Sequence, residues 1–419
     1  MDEPALQQHL SPDWLPILLA QATGIACGLV GVWVSSTLVS PEIYGAYGLF
    51  LTFTPLASLL THAGMIKHAS RNWPDTLDQQ AYLAWWLRAT LRSAAWLAVV
   101  VLLLALAAGL AGNFGLAMIV LTVFPASLAG AYALAFQSCL QSIRRYWADF
   151  GLTAFYALTR TFLPLLAVVL LSASFPSLAS GYLLHACATA AAGFIVLRAY
   201  ARPAAGTFSV PGDLGAYHWG FGINGMLIFI NAGLVRWTAS LFFDQATVGH
   251  ITLAGNIAMV LPNVLGGACN QYYYPRLLAL HQQSRSAALT KLADRALLML
   301  LVICAVAFAA LGWVLPWLPG RLIDLQYASC IQYVLPLFSL GTLLGGLSLL
   351  QTELLVAEAP QSAWKIAAWT SGALAAGLLL SAARHSTEGL RLWLLASPLV
   401  VLPLGRWFTR NALKHRAAG

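Results

Sequence analysis

The chain has 419 residues, of which 60% are hydrophobic and only 9% charged, with a formal net charge of +8. A soluble chain of this length would fold into two or three domains carrying far more charge, so a soluble catalytic domain is excluded. The positive balance suits basic loops facing an anionic membrane leaflet, not nucleic-acid binding.

The first thirteen residues carry Asp2, Glu3 and Asp13 but no Lys or Arg. A cleavable signal needs a basic start and a short apolar core, so the first apolar run is read as a retained span. Apolar stretches of about twenty residues, the length that crosses a ~30 Å hydrocarbon core as a helix, recur twelve times. They are predicted at 14–39, 43–65, 92–111, 115–140, 152–172, 177–198, 216–242, 247–272, 294–317, 328–356, 362–382 and 389–408. Thr76 to Arg92 holds Tyr82, Trp85, Trp86, Arg88 and Arg92, a mixture of rings and cations that predicts an interfacial helix leading into the third span. The longest polar break, Tyr200 to Tyr217, contains Pro203, Gly206, Pro211 and Gly212 and separates six spans from six.

The predicted organisation is therefore an all-α polytopic membrane protein of twelve transmembrane helices in two six-helix lobes around a central cavity. The lobes are residues 1–200 and 216–419, joined by a cytoplasmic linker at 201–215. Because six is even, both halves enter the membrane in the same sense, as in a parallel repeat. Gly45 and Arg71 bracket the second span much as Gly249 and Arg276 bracket the eighth. Lys and Arg crowd alternate connections and the C-terminal tail, while the intervening connections hold only Arg321, Arg384 and Arg391. By the positive-inside rule both termini are cytoplasmic, which predicts a multi-pass protein of a bacterial inner membrane.

Two arginines fall inside predicted spans, Arg160 and Arg236. A permanently charged guanidinium at depth usually faces a bundle interior or a wet cavity, and it pairs with phosphate through two parallel hydrogen bonds. Snorkelling to the headgroups is the other reading, and it suits Arg236, near the end of its span. Pro164, four residues after Arg160, frees the Arg160 carbonyl. Asn224 and Asn231 are seven apart, as are Asn256, Asn263 and Asn270, so each set shares a helix face. Such stripes line a polar cavity or bond neighbouring helices. His62, Lys67, His68 and Arg71 form a basic cluster, either an anchor at the membrane surface or a recruitment patch for an anionic headgroup.

The chain lacks a GxxxxGK[ST] loop, an HExxH motif and any Cys pair spacing, so no cofactor or metal is expected. The carboxylates near spans are Glu353 and Glu358 at the end of the tenth and Asp244 at an edge; none is read as buried at depth. An enzyme polymerising or transferring sugars would need acid–base groups, often on a large outer loop, and the predicted outer loops are short.

Two stretches carry a family resemblance: PEIYGAYGLFLTFTPLASLLTHAGMIKHASR from Pro41 to Arg71, and VGHITLAGNIAMVLPNVLGGACNQYYYPRL from Val248 to Leu277. With the 6+6 layout, they resemble Wzx-type polysaccharide flippases of the multidrug/oligosaccharidyl-lipid/polysaccharide exporter superfamily. The resemblance implies a non-enzymatic transporter that flips undecaprenyl-pyrophosphate-linked oligosaccharide from the cytoplasmic to the periplasmic leaflet by alternating access. It implies cations in the cavity for the pyrophosphate, a polyprenyl-pyrophosphate-linked oligosaccharide and membrane lipid as partners, and a polysaccharide polymerase downstream. The alternatives are a membrane-embedded polymerase or glycosyltransferase, and a multidrug exporter of the same superfamily.

Overall fold

The structure is a computed structural model. It describes residues 14–419 except 63–68, 70–72, 74–75, 113, 144, 204–226, 228–229, 232, 284–285, 357–359, 384–385 and 419, and it leaves out some further side chains within helices. Among the described residues the chain is helical, with one isolated bridge between Pro319 and Ile323. In chain order the helices are α1 (Trp14–Leu38), α2 (Pro41–His62), α3 (Gln79–Leu110), α4 (Phe114–Ser142), α5 (Tyr146–Leu170) and α6 (Phe175–Tyr200). After the helical stretch 233–242, here α7, come α8 (Gln245–Ala258), α9 (Val260–Gln282), α10 (Ser286–Val314), α11 (Ile331–Val356), α12 (Pro360–Ala382) and α13 (Thr387–Ala418).

Nine described helices are long and apolar enough to span a bilayer, and α8 with the first turns of α9 makes a tenth, bent by 42°. The other two predicted spans, 43–65 and 216–242, run partly into residues outside the description. The bend has a local cause. Pro262 lacks an N–H and its ring crowds the carbonyl four residues back, that of Ala258, where α8 ends.

The structure corrects three expectations. The stretch before the third span is not a separate interfacial helix, because α3 runs unbroken for 32 residues. Asp78 caps it, accepting from the Ala81 N–H at 2.9 Å. Tyr82, Trp86 and Thr90 recur at four-residue steps, so they share one face, and that face is buried against α4. Trp86 meets Tyr132 edge-to-face with centroids 5.5 Å apart, and Thr90 shares a 2.8 Å hydrogen bond with the Tyr132 hydroxyl. Trp73, Phe136, Leu140 and Leu197 complete this core. Secondly, the C-terminal "tail" is helix: α13 continues to Ala418 and places Arg406 inside the protein. Thirdly, carboxylates are buried: Glu353 completely, and Asp149 nearly so.

The chain forms two compact units. The first comprises Met1–Gly31, Ala57–Ser172 and Pro176–Tyr217; the second comprises Val32–Leu56, Ala173–Phe175 and His218–Gly419. In the first, α3 packs on α4 and α4 on α5. In the second, α11 is the central post, with α8, α9, α10, α12 and α13 packed around it.

The second unit also holds the Val32–Leu56 stretch of α1 and α2. Gly45 and Gly249 meet there. A Cβ on Gly249 would overlap the Pro41 carbonyl, and one on Gly45 would overlap the Gln245 carbonyl. Pro41 and Gln245 each open a helix four residues before their glycine, so the contact is reciprocal. Hydrogen bonds secure it: Asn256 Nδ2 to the Tyr44 hydroxyl (2.7 Å), Trp237 Nε1 to Thr52 Oγ1 (2.8 Å), Gln326 Nε2 to the Ser36 carbonyl (2.8 Å) and the Tyr327 hydroxyl to the Val39 carbonyl (3.0 Å).

Candidate functional site: cationic and polar groups within the helices

Arg160 lies in the first unit, on α5. At 100° per residue, Asp149, Thr153 and Tyr156 fall within about 40° of it around the helix. Six of the seven large exposed apolar side chains of α5 (Trp147, Phe155, Leu158, Phe162, Leu166, Val169) fall about 120° or more away, and Leu170, at the last residue of the helix, lies about 80° away. Side chains such as these suit contact with acyl chains, so Arg160 emerges on the opposite, polar side of its helix. Its guanidinium carbon lies 5.9 Å from the Tyr156 ring centroid, within cation–π range. Tyr156 in turn meets the buried His185 of α6 edge-to-face at 4.8 Å, and Tyr182 meets the same imidazole at 5.3 Å. Thr159 Oγ1 fixes His185 Nδ1 at 2.8 Å. The arginine is thus mounted on an aromatic and imidazole platform. Sequence reasoning missed Asp149, Tyr156 and His185, although the four-, seven- and eleven-residue spacing from Asp149 to Arg160 was visible.

Arg236 belongs to the second unit and is half-buried. A Cβ on Gly255 would stand 3.2 Å from its Nη2, so the glycine makes room for the guanidinium beside α8. Val235, Ile251, Met259, Leu337 and Leu340 complete a small, mainly apolar cavity around it. Arg236 is thus more enclosed than Arg160, which is exposed.

The 42° bend at Pro262 falls between Asn256 and Asn263 in the Asn set of the eighth span. Asn256 on α8 is tied to Tyr44, whereas Asn263 on α9 is exposed. Asn231 is buried, and its Oδ1 has no hydrogen-bond partner among the described residues. Asn224, Lys67 and Arg71 lie outside the described residues, as do the side chains of His62 and Asn270.

A charged cluster that the sequence did not suggest lies in the second unit. Arg406 of α13 donates through Nε to Asp294 Oδ1 of α10 (2.7 Å), through Nη1 to Glu353 Oε2 of α11, and through Nη2 to the Thr290 carbonyl (3.3 Å). Arg410 takes the other Asp294 oxygen at 2.8 Å. Glu353 Oε1 is buried without a hydrogen-bond partner among the described residues.

Helical spans with a few cations and polar groups buried among them define a multi-pass membrane protein. The lipid II flippase MurJ, in an inward closed conformation, superposes with a TM-score of 0.66 at 11% identity, over 95% of this chain and 87% of that one. An outward-facing multidrug-resistance MATE family transporter gives 0.64 at 14%, over 96% and 94%. A Vibrio cholerae MATE transporter gives 0.58 at 14%, over 96% and 95%. No curated protein matches the chain. The profile of the polysaccharide biosynthesis protein family matches residues 11–281. The chain belongs to that family.

Proposed function

We propose that this protein flips a lipid-linked oligosaccharide, an undecaprenyl-pyrophosphate-linked glycan, from the cytoplasmic to the periplasmic leaflet for cell-surface polysaccharide synthesis. One observation carries the reading: Arg160 sits on the polar side of an otherwise lipid-suited helix, on a rigid aromatic mount. A pyrophosphate needs such a group, because a guanidinium offers it two parallel charge-assisted hydrogen bonds. Family membership supports a role in polysaccharide synthesis, and the fold supports transport over chemistry on sugars. Arg236 and the asparagines are secondary candidates for contacts with the pyrophosphate and the sugars, and His62, Lys67 and Arg71 for recruiting the headgroup. Alternating exposure of the arginine site to the two leaflets moves the headgroup while the polyprenyl tail stays in lipid.

The test is translocation of a fluorescent polyprenyl-pyrophosphate oligosaccharide in proteoliposomes. Wild type moves it and Arg160→Ala does not, with reconstitution efficiency unchanged. Polymerised or newly transferred sugar, or wild-type rates in the variant, would overturn the assignment.

A further inference from the structure

The group that the transport reading leaves unused is Glu353. Its side chain is completely buried at the meeting of α10, α11 and α13. One oxygen is held by Arg406, and the other has no hydrogen-bond partner among the described residues. An ionised carboxylate with one buried, unsatisfied oxygen is costly, and a proton on that oxygen relieves most of the cost because the neutral acid is far cheaper to bury. The charged groups acting on this carboxyl are Arg406 and Arg410 from α13 and Asp294 from α10. The other helices packed on α11 carry Tyr273, Arg276 and His281 (α9), Lys365 (α12) and His250 (α8), of which His250 meets Tyr327 ahead of the start of α11, at the opposite end from Glu353.

We propose that Glu353 is a proton-binding site: Oε1 takes up and releases a proton while Oε2 remains against Arg406. The surroundings favour a proton over a metal cation. The neighbouring Leu354 belongs to an apolar cluster with Ile366, Phe408 and Leu413. Among the described residues no three His, Cys, Asp or Glu side chains stand together. A sodium or calcium ion needs several oxygens, whereas a proton needs one.

The consequence is mechanical. With Glu353 ionised, Arg406 ties α11 and α10 to α13 at once. Protonation removes the charge opposite Nη1, and Arg406 then holds to Asp294 and the Thr290 carbonyl alone. The α11–α13 tie is thereby weakened by proton uptake, while the α10–α13 tie persists. This coupling step rests on the flippase reading; the proton site does not.

Infrared difference spectra of the reconstituted full-length protein, taken between acidic and alkaline buffer, test the site directly. Wild type should show the C=O stretch of a protonated carboxyl, shifted in heavy water. The band should vanish in Glu353→Gln, move in Glu353→Asp and survive in Asp149→Asn. A wild-type spectrum without the band, or the same band in Glu353→Gln, would show that Glu353 is a fixed partner of Arg406. In flipping vesicles under an imposed pH gradient, Glu353→Gln should lose the gradient's effect on rate. Retention of that effect overturns the coupling. Wild-type protein that shows the infrared band and flips nothing counts against the flippase reading and leaves the proton site standing.

Discussion

Asn256 donates through Nδ2 to the Tyr44 hydroxyl at 2.7 Å, joining α8 to α2 beside the crossing of Gly45 and Gly249. Small residues bring the backbones together, and one side-chain bond then fixes how far each helix slides along the other. Tyr44→Phe removes the acceptor and leaves the Asn256 amide half-buried without it. Thermal unfolding in detergent should show a loss of about 1 kcal/mol. At the same seam Thr252 Oγ1 is buried against Gly48 without a hydrogen-bond partner among the described residues. Thr252→Val, which deletes an unsatisfied hydroxyl at constant shape, should be neutral or slightly stabilising.

The two tryptophans of α3 at residues 86 and 96 should behave oppositely. Trp86 is 2% exposed in the aromatic core, and Trp96 is 79% exposed. Trp86→Ala should cost about 3–5 kcal/mol, whereas Trp96→Ala should stay within about 0.5 kcal/mol. Equal effects in an unfolding experiment would return the aromatic segment to the headgroup layer.

At Arg160 the planar fork matters as well as the charge. Arg160→Lys keeps the cation but loses the bidentate geometry, so flipping should fall about tenfold or more. Phe162→Ala, on the opposite side of α5, should leave the rate near that of wild type. The decisive outcome is the order of the two variants in one assay.

Asp244 caps α8, accepting from the Thr247 N–H at 3.0 Å. Hydrogen bonds from the Thr247 hydroxyl and N–H hold its carboxyl below the usual range. A carboxyl lowered by folding contributes its full stability above its unfolded range and loses it as acid protonates the folded form. Asp244→Ala should therefore cost about 1 kcal/mol at neutral pH. The difference from wild type should shrink as the medium is acidified, which melting curves in a pH series would show.

Hydropathy made the helices legible, because a span's length and apolarity are local properties. Side-chain environment was less so. The Tyr82–Trp86–Thr90 stripe has the composition of an interfacial belt, yet α4 covers it, and only tertiary packing distinguishes the two. The Asn256–Asn263 stripe assumes a straight helix, and a 42° bend at Pro262 falls within it; the proline was visible, but the bend was not drawn from it. Arg406 reads as one more basic residue near a C-terminus until α10 and α11 bring Asp294 and Glu353 to it from more than fifty positions away. For Arg160 the sequence supplied the residue and its depth, and the burial pattern of α5 supplied its direction.

The mutual contact of Gly45 with Gln245 and of Gly249 with Pro41 has a genetic corollary. A lesion at either glycine should be compensated by changes around the opposite helix start, so suppressors of one map beside residue 245 and of the other beside residue 41. Since neither backbone carbonyl can be trimmed, compensation has to come from altered turns that let a whole helix start retreat. Sequence drift at this crossing is therefore constrained in pairs.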